Sequence, residues 1–340
     1  MLPALRDARL WARPMTARRM RNAYRIWHSF RQAKKTRHPI IRGLPFSISM
    51  EPTTACNLRC PECPSGLRAF TRPTGNLKNE LFMRVIDELS KDLWALTFYF
   101  QGEPFINPKF LEMVNYAHRK GLYTNTSTNG HFLTEAKAEE TVRSGLSRLI
   151  ISMDGTDQET YSAYRREGNL AKVIEGAERV VKWKKKLKSR TPHIVFQFLV
   201  VRPNEHQVPE ARKLARKIGV DDLWLKTAQI YDPHDDHPLI PLQDKYSRYK
   251  RNANGVWEVK HRLDNECWKM WHSCVVTWDG KVVPCCFDKD AKWVMGDLNE
   301  LSFREIWNGP VYHAFRRRLF SDRGSIDMCR NCTEGCPVWA

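Results

Sequence analysis

Apolar residues along the chain fall into short, nearly continuous runs separated by longer stretches with helical spacing. The runs lie at 45–52 (PFSISMEP), 96–100 (LTFYF), 122–130 (LYTNTSTNG), 148–155 (RLIISMDG), 193–201 (HIVFQFLVV) and 222–230 (DLWLKTAQI). Periodic stretches near 78–93, 108–120, 169–188 and 207–218, with another ahead of the fourth run, predict helices between them. Near-continuous apolarity suits strands buried on both faces. Six alternations with short connections therefore predict an α/β fold: a parallel sheet with crossover helices, long enough for an open or closed barrel. The first four runs end in CNLRC, QGEP, STNG and SMDG, and sites in parallel barrels form at such C-terminal strand ends. The segment from about 231 to 264 is polar and irregular and reads as a linker. The expected organisation is a leader (1–43), a barrel core (44–230), that linker (231–264) and a cysteine-rich C-terminal domain (265–340).

Composition adds little, but charge changes the picture once it is located. At 42% apolar and 28% charged residues, 340 residues have the balance of an ordinary globular chain. No apolar run approaches the roughly 18 residues of a membrane span, and arginines interrupt every apolar stretch of the N-terminus, against a secretory signal. The leader carries twelve cations and one acid, Asp7, hence +11 of the total +18 and only +7 for the other 297 residues. Nucleic-acid binding by the body is therefore not expected, and the expected location is the cytoplasm. Met20, Ala23, Tyr24, Trp27 and Phe30 recur at helical spacing in the leader, with Arg21, Arg25, His28 and Gln32 on other faces. Such a helix can pack its aromatic face on the body or lie on an anionic membrane surface or an acidic partner. A mitochondrial-type presequence shares the composition.

Ten cysteines form three groups: 56/60/63, 267/274/285/286 and 329/332/336. Disulfide frameworks belong to small secreted domains, whereas clustered thiols in a chain of this size bind metal. Cys56, Cys60 and Cys63 form C-x3-C-x2-C with no fourth cysteine nearby. Four thiolates normally hold a four-iron cluster, so three leave one iron open, and an open position separates catalytic from structural metal sites. A zinc site completed from elsewhere satisfies the same spacing.

The cysteine run, with QGEP (101–104), STNG (127–130), SMDGTDQETYSAYR (152–165) and RPNEHQ (202–207), resembles the radical S-adenosylmethionine superfamily, specifically members with a C-terminal SPASM or twitch extension. The resemblance implies a partial (β/α)6 TIM-like barrel holding a catalytic [4Fe-4S] cluster on Cys56, Cys60 and Cys63. It implies that Gly102 and Glu103 bind the amino group of S-adenosylmethionine, although Gln101 replaces the family's first glycine. Ser152 and Arg165 would approach the carboxylate, with Asp154 nearby. The residue before the third cysteine is usually aromatic and packs near the adenine; here it is Glu62. The implied chemistry is one-electron cleavage of the cofactor to methionine and a 5′-deoxyadenosyl radical that abstracts a substrate hydrogen, with a flavodoxin or ferredoxin as the reductant.

In the tail, Cys267 and Cys285 flank an expected hairpin at Asp279-Gly280, and Cys329 and Cys332 form a C-x2-C pair. Together with GDLNELSFREIW (296–307) they resemble the twitch form, implying an auxiliary [4Fe-4S] cluster, with Cys274 and Cys336 as alternate ligands. Adjacent residues of a strand point to opposite faces, which would separate Cys285 from Cys286. In relatives with such tails the net reaction is often oxidation, dehydrogenation or radical coupling, and the substrate here is left as a peptide, a small molecule or a lipid-linked compound. A peptide would need a separate recognition protein, because the leader is too short for the family's recognition domain. Tyr99, Gln101, His131, Asn204, Lys226 and Gln229 stand at or near strand ends without an assigned role. The rival classes are a zinc-stabilised nucleic-acid-binding protein and an iron–sulfur electron carrier.

Overall fold

The computed structural model, which describes residues 3–260 and 263–332, places six parallel strands where the apolar runs lie. These are β1 (Ser47–Met50), β2 (Ala95–Phe98), β3 (Tyr123–Thr128), β4 (Arg148–Ser152), β5 (His193–Val200) and β6 (Asp222–Thr227). They hydrogen-bond in chain order. Before them come α1 (Pro3–Ala12) and α2 (Ala17–Thr36); α3 (Pro64–Leu67) follows β1 in the cysteine loop. The crossovers are α4 (Asn79–Leu89), α5 (Phe110–Arg119), α6 (Glu135–Arg143), α7 (Gln158–Tyr164), α8 (Leu170–Lys186) and α9 (Val208–Ile218). Phe82, Val85, Ile86 and Leu89 of α4 show how the i, i+3, i+4 spacing buries one helix face against the sheet.

The sheet is open, with β1 and β6 unpaired to one another. After β6 the chain does not run as featureless linker; it forms a small hairpin, β7 (Tyr249–Arg251) with β8 (Trp257–Val259). The tail then joins the main sheet. Strand β9 (Ser273–Val276) adds parallel to β1 on its outer edge, setting Ile48 opposite Cys274, and β10 (Lys281–Val283) and β11 (Gly296–Asp297) continue it antiparallel. The β9–β10 connection turns at Thr277–Gly280, as the Asp279-Gly280 pair predicted. Helices α10 (Lys269–His272), α11 (Phe303–Asn308), α12 (Pro310–Asp322) and α13 (Asp327–Arg330) pack around it, and Trp271 and Trp307 are fully buried among them.

The leader is built into this body. Helix α1 closes the end of the sheet where the strands begin: Arg6 pairs with Asp221 at 2.8 Å, and Asp7 accepts from Tyr123 and pairs with Arg148. In α2 the buried positions are Arg19, Asn22, Ile26, Ser29 and Ala33. Arg19 donates to Pro14 O, Gly121 O, Ser90 O and Lys120 O at 2.6–3.1 Å, so one guanidinium satisfies carbonyls at the C-terminal ends of α4 and α5. Asn22 exchanges two hydrogen bonds with the Leu44 backbone. The alternative in which the aromatic stripe packs on the body thus fails for most of its length. Met20, Tyr24 and Trp27 are 55%, 61% and 43% exposed, while Phe30 packs on Trp268 and Trp271. Periodicity found the stripe but not its direction, because a buried arginine with four carbonyl acceptors reads in sequence as a surface residue.

Candidate active site

The loop between β1 and α3 sets the thiols of Cys56, Cys60 and Cys63 around a cavity of about 160 Å³ at the C-terminal ends of the strands. Gly102, Glu103, Ser127, Asn129, Ser152, Arg165 and Gln197 also line it. Each predicted barrel-site residue except Asp154 therefore meets in one cavity, and Asp154 stands directly behind it as the partner of Arg165. Among the described residues no three His, Cys, Asp or Glu side chains converge tightly enough to chelate a single bare ion. The three thiols ring a space instead. Burial pushes the Cys56 thiol up to about 11 and raises that of Cys60 as well, so any metal loaded here must displace thiol protons.

Gly102 has φ +73, and a Cβ on it would lie 2.3 Å from Thr53 O and 2.8 Å from Ala55 O. Only glycine lets this turn press against the cysteine loop. The fit is held by Glu103 N donating to Ala55 O at 2.7 Å and Gly102 N donating to Ser65 Oγ at 2.9 Å. Glu103 is 1% exposed. Its Oε1 accepts from Thr128 Oγ1 (2.7 Å) and Phe105 N (3.3 Å), and its Oε2 accepts from Asn129 N (2.7 Å). Desolvation lifts this carboxyl to about 7 in spite of these donors. A carboxylate offers about four acceptor sites, so one remains for a further donor. Across the cavity, Arg165 Nη1 donates to Cys60 Sγ at 3.7 Å while its Nε pairs with the fully buried Asp154. Asp154 Oδ1 also accepts from Leu199 N at 2.7 Å, which ties the end of β4 to β5.

Ser65 escaped the sequence reading, and Asn129 stood in it only inside STNG, without a role. Ser65 bridges Gly102 and Gln101, and Asn129 donates to Asn57 Oδ1 at 2.7 Å, holding the cysteine loop to the end of β3. Serine and asparagine at loop ends carry little signal on their own. Of the six residues left without roles, Tyr99 and Gln101 line the cavity. Asn204 instead donates to Asp154 O and Leu199 O, and His131 Nε2 accepts from Asn169 N, so both secure loops; Lys226 and Gln229 do not line the cavity. Glu62 accepts from Tyr231 N at 2.9 Å and lies 3.6 Å from His237, fastening the segment after β6 to the cysteine loop.

The tail thiols gather near Arg323. Burial alone would lower this guanidinium's pKa, but Cys267, Cys332 and Cys329 raise it more, and its Nη2 donates to Cys332 Sγ at 3.5 Å. Cys285 is buried, touches Cys286 and feels Cys267. Cys274 is on β9 beside Arg316, and Cys336 falls outside the described residues. Cys285 and Cys286 do not alternate across a strand. They follow the last residue of β10 in a turn, with their thiols in contact.

Both halves of this arrangement match known families: residues 50–215 match the Radical SAM superfamily and residues 267–333 match SPASM, an iron–sulfur cluster-binding domain. The chain is a radical SAM enzyme with a SPASM domain, whose cofactors are a [4Fe-4S] cluster, S-adenosylmethionine and auxiliary iron–sulfur. It is 24% identical over 319 residues to the tungsten-containing aldehyde ferredoxin oxidoreductase cofactor-modifying protein of Pyrococcus furiosus, covering 84% of this chain and 86% of that one. It is 27% identical over 312 residues to the PqqA peptide cyclase of Gluconobacter oxydans, covering 85% and 82%. In fold it is similar to Streptococcus suis SuiB bound to its precursor peptide SuiA, with TM-score 0.61, 13% identity, and coverage of 91% of this chain and 74% of that one. None of the described helices is long and apolar enough to cross a membrane.

Proposed function

We propose that Cys56, Cys60 and Cys63 hold a four-iron cluster whose open iron receives S-adenosylmethionine, and that the enzyme abstracts a hydrogen atom from its substrate to oxidise, dehydrogenate or couple it. The observation that carries this reading is the shared cavity, in which three thiols face Glu103, Ser152 and Arg165 across about 160 Å³. Bound there, cluster and cofactor supply a one-electron cleavage that produces a 5′-deoxyadenosyl radical. The chain's own part is to bind, orient and exclude water. The remaining acceptor site of Glu103 takes the cofactor's amino group, and Ser152 with the guanidinium of Arg165 takes its carboxylate. Asp154 keeps that guanidinium in place and balances its charge. Cys267, Cys285, Cys329 and Cys332 would hold one auxiliary iron–sulfur cluster, which would supply an electron acceptor beside the barrel. A flavodoxin or ferredoxin supplies the first electron, and a peptide is the substrate class best supported, since one curated relative is a peptide cyclase.

Iron, sulfide and zinc analysis of anaerobically reconstituted protein tests the whole scheme. About eight irons per chain with matching sulfide are expected for two four-iron clusters. About twelve would mean two auxiliary clusters, and zinc without labile sulfide would overturn the reading.

Glu103 adds a pH signature. Burial pushes its carboxyl up from 4.5 to about 7, so the native protein holds this proton more tightly than the unfolded chain does. The stability this group contributes is therefore full below about 4.5 and is lost as pH rises toward 7. Cofactor binding has the opposite sense, because the amino group needs the ionised carboxylate. Affinity for S-adenosylmethionine should fall by up to about tenfold per unit as pH drops below 7 and level off above it. Glu103→Gln should weaken binding at pH 8 and flatten the profile. Anaerobic equilibrium dialysis with the loaded enzyme decides it: a wild-type affinity independent of pH would remove Glu103 from this role.

A further inference from the structure

We propose that the outward face of α2 docks on an anionic lipid bilayer, with Tyr24 and Trp27 in the headgroup layer and a lipid phosphate held between Arg25, His28 and Arg42. The helix is inverted relative to ordinary packing. Its body-facing side is fastened largely by polar groups, Arg19 and Asn22 above all, and its apolar stripe of Met20, Tyr24 and Trp27 is left in solvent. The exposed rings form one patch: Tyr24 lies 5.9 Å from Trp27 and 6.1 Å from His28, and the Arg31 guanidinium sits 5.0 Å over Trp27. Beside it, Tyr24, Arg25, His28, Arg42 and Gly43 line a cleft of about 520 Å³.

Charge selects the occupant. Arg6, Arg18 and Lys34 pair with acids of the body, and Arg19 is spent on carbonyls. Arg21, Arg25, Lys35 and Arg42 have no acidic partner within 4 Å among the described residues, and the leader's one acid, Asp7, is engaged at the far end by Arg148. A 20-residue helix is about 30 Å long, enough for a stripe of tyrosine, tryptophan and methionine bordered by arginine to lie in the bilayer interface. Aromatic rings favour that depth and basic groups favour anionic lipid. A nucleic acid would use the arginines but leave the apolar stripe in water. The contact is peripheral, and it does not depend on the chemistry assigned to the barrel.

The test is vesicle flotation of the full-length, cluster-loaded enzyme. Vesicles with about 30 mol% phosphatidylglycerol in phosphatidylcholine should carry the protein up, pure phosphatidylcholine should not, and about 0.5 M salt should weaken the binding. The double variants Tyr24→Ser/Trp27→Ser and Arg25→Glu/Arg42→Glu should each lower the bound fraction about tenfold. All four side chains are exposed or border a surface cleft, so iron content and thermal midpoint should stay at the wild-type values. No flotation, or flotation unchanged in both variants, overturns the proposal. So does tight binding of duplex DNA that the same two variants abolish, or a dimer without lipid that Tyr24→Ser/Trp27→Ser dissociates.

Discussion

Cys60→Ala should leave the protein folded but unable to cleave S-adenosylmethionine, with turnover reduced by at least about a thousandfold. The side chain removed is small, so the packing cost is on the order of 1 kcal/mol. The loop around it is fixed by other means: a Cβ on Gly66 would lie 2.5 Å from Cys60 O and 2.6 Å from Cys60 N, so α3 is pressed against the backbone of this residue whatever its side chain. Two thiols cannot hold a cube that already has one open iron. Arg165 would also lose the sulfur that its Nη1 contacts. Iron should drop from about eight to about four per chain, with the tail's cluster retained. Methionine and 5′-deoxyadenosine formed under dithionite, measured anaerobically beside the iron count, provide the check. Cleavage that survives the substitution would show that these cysteines do not carry the cluster.

How much of this was written plainly in the chain varies with the physics behind each feature. The parallel strands were legible because burial on both faces demands unbroken apolarity, and β5 was expected at 193–201 and lies at His193–Val200. The candidate barrel-site residues were named because their motifs resemble those of the radical SAM superfamily, and the topology then brings these strand ends to one mouth. Short α7 was not legible, since seven residues with only Tyr161 at the middle and Tyr164 at the end buried make no periodic stripe. The attachment of the tail was also hidden: β9 pairs with β1 through backbone groups, and backbone pairing leaves no side-chain signature. The same holds for the clamp between the two halves, where the buried Glu51, held by two hydrogen bonds from Arg72, accepts from Trp278 N of the tail at 3.3 Å while the Trp278 ring covers Gly75. An Arg–Glu pair 21 residues apart is unremarkable in sequence and decisive only once both are desolvated. Cys285 and Cys286 were misread for a related reason, because alternation assumes the strand continues and Pro284 follows its last residue.

Separate substitution of Cys285 and Cys274 should divide the ligands from the bystander in the tail. Cys267, Cys285, Cys329 and Cys332 are all at most 9% exposed. They are linked pairwise in their electrostatics: Cys285 with Cys267, and Cys329 with Cys332 and Cys267. Burial holds the Cys329 thiol up to about 11 even with Arg323 beside it, so metal binding there would displace its proton. Cys274 has a different neighbour, Arg316, whose guanidinium stacks 3.8 Å from the Tyr312 ring and donates to Met270 O and Trp307 O. That is a packed core position. Cys285→Ala should therefore lose about four irons while cofactor cleavage continues within several-fold of wild type, and substrate product should fall by about a hundredfold or more because the electron has no acceptor. Cys274→Ala should keep about eight irons and most of the product, at a modest cost in thermal midpoint. Iron loss in the second variant and not the first would transfer the ligand from the turn to β9. Product formation by Cys285→Ala at the wild-type rate would leave the auxiliary cluster structural and place the oxidising step elsewhere.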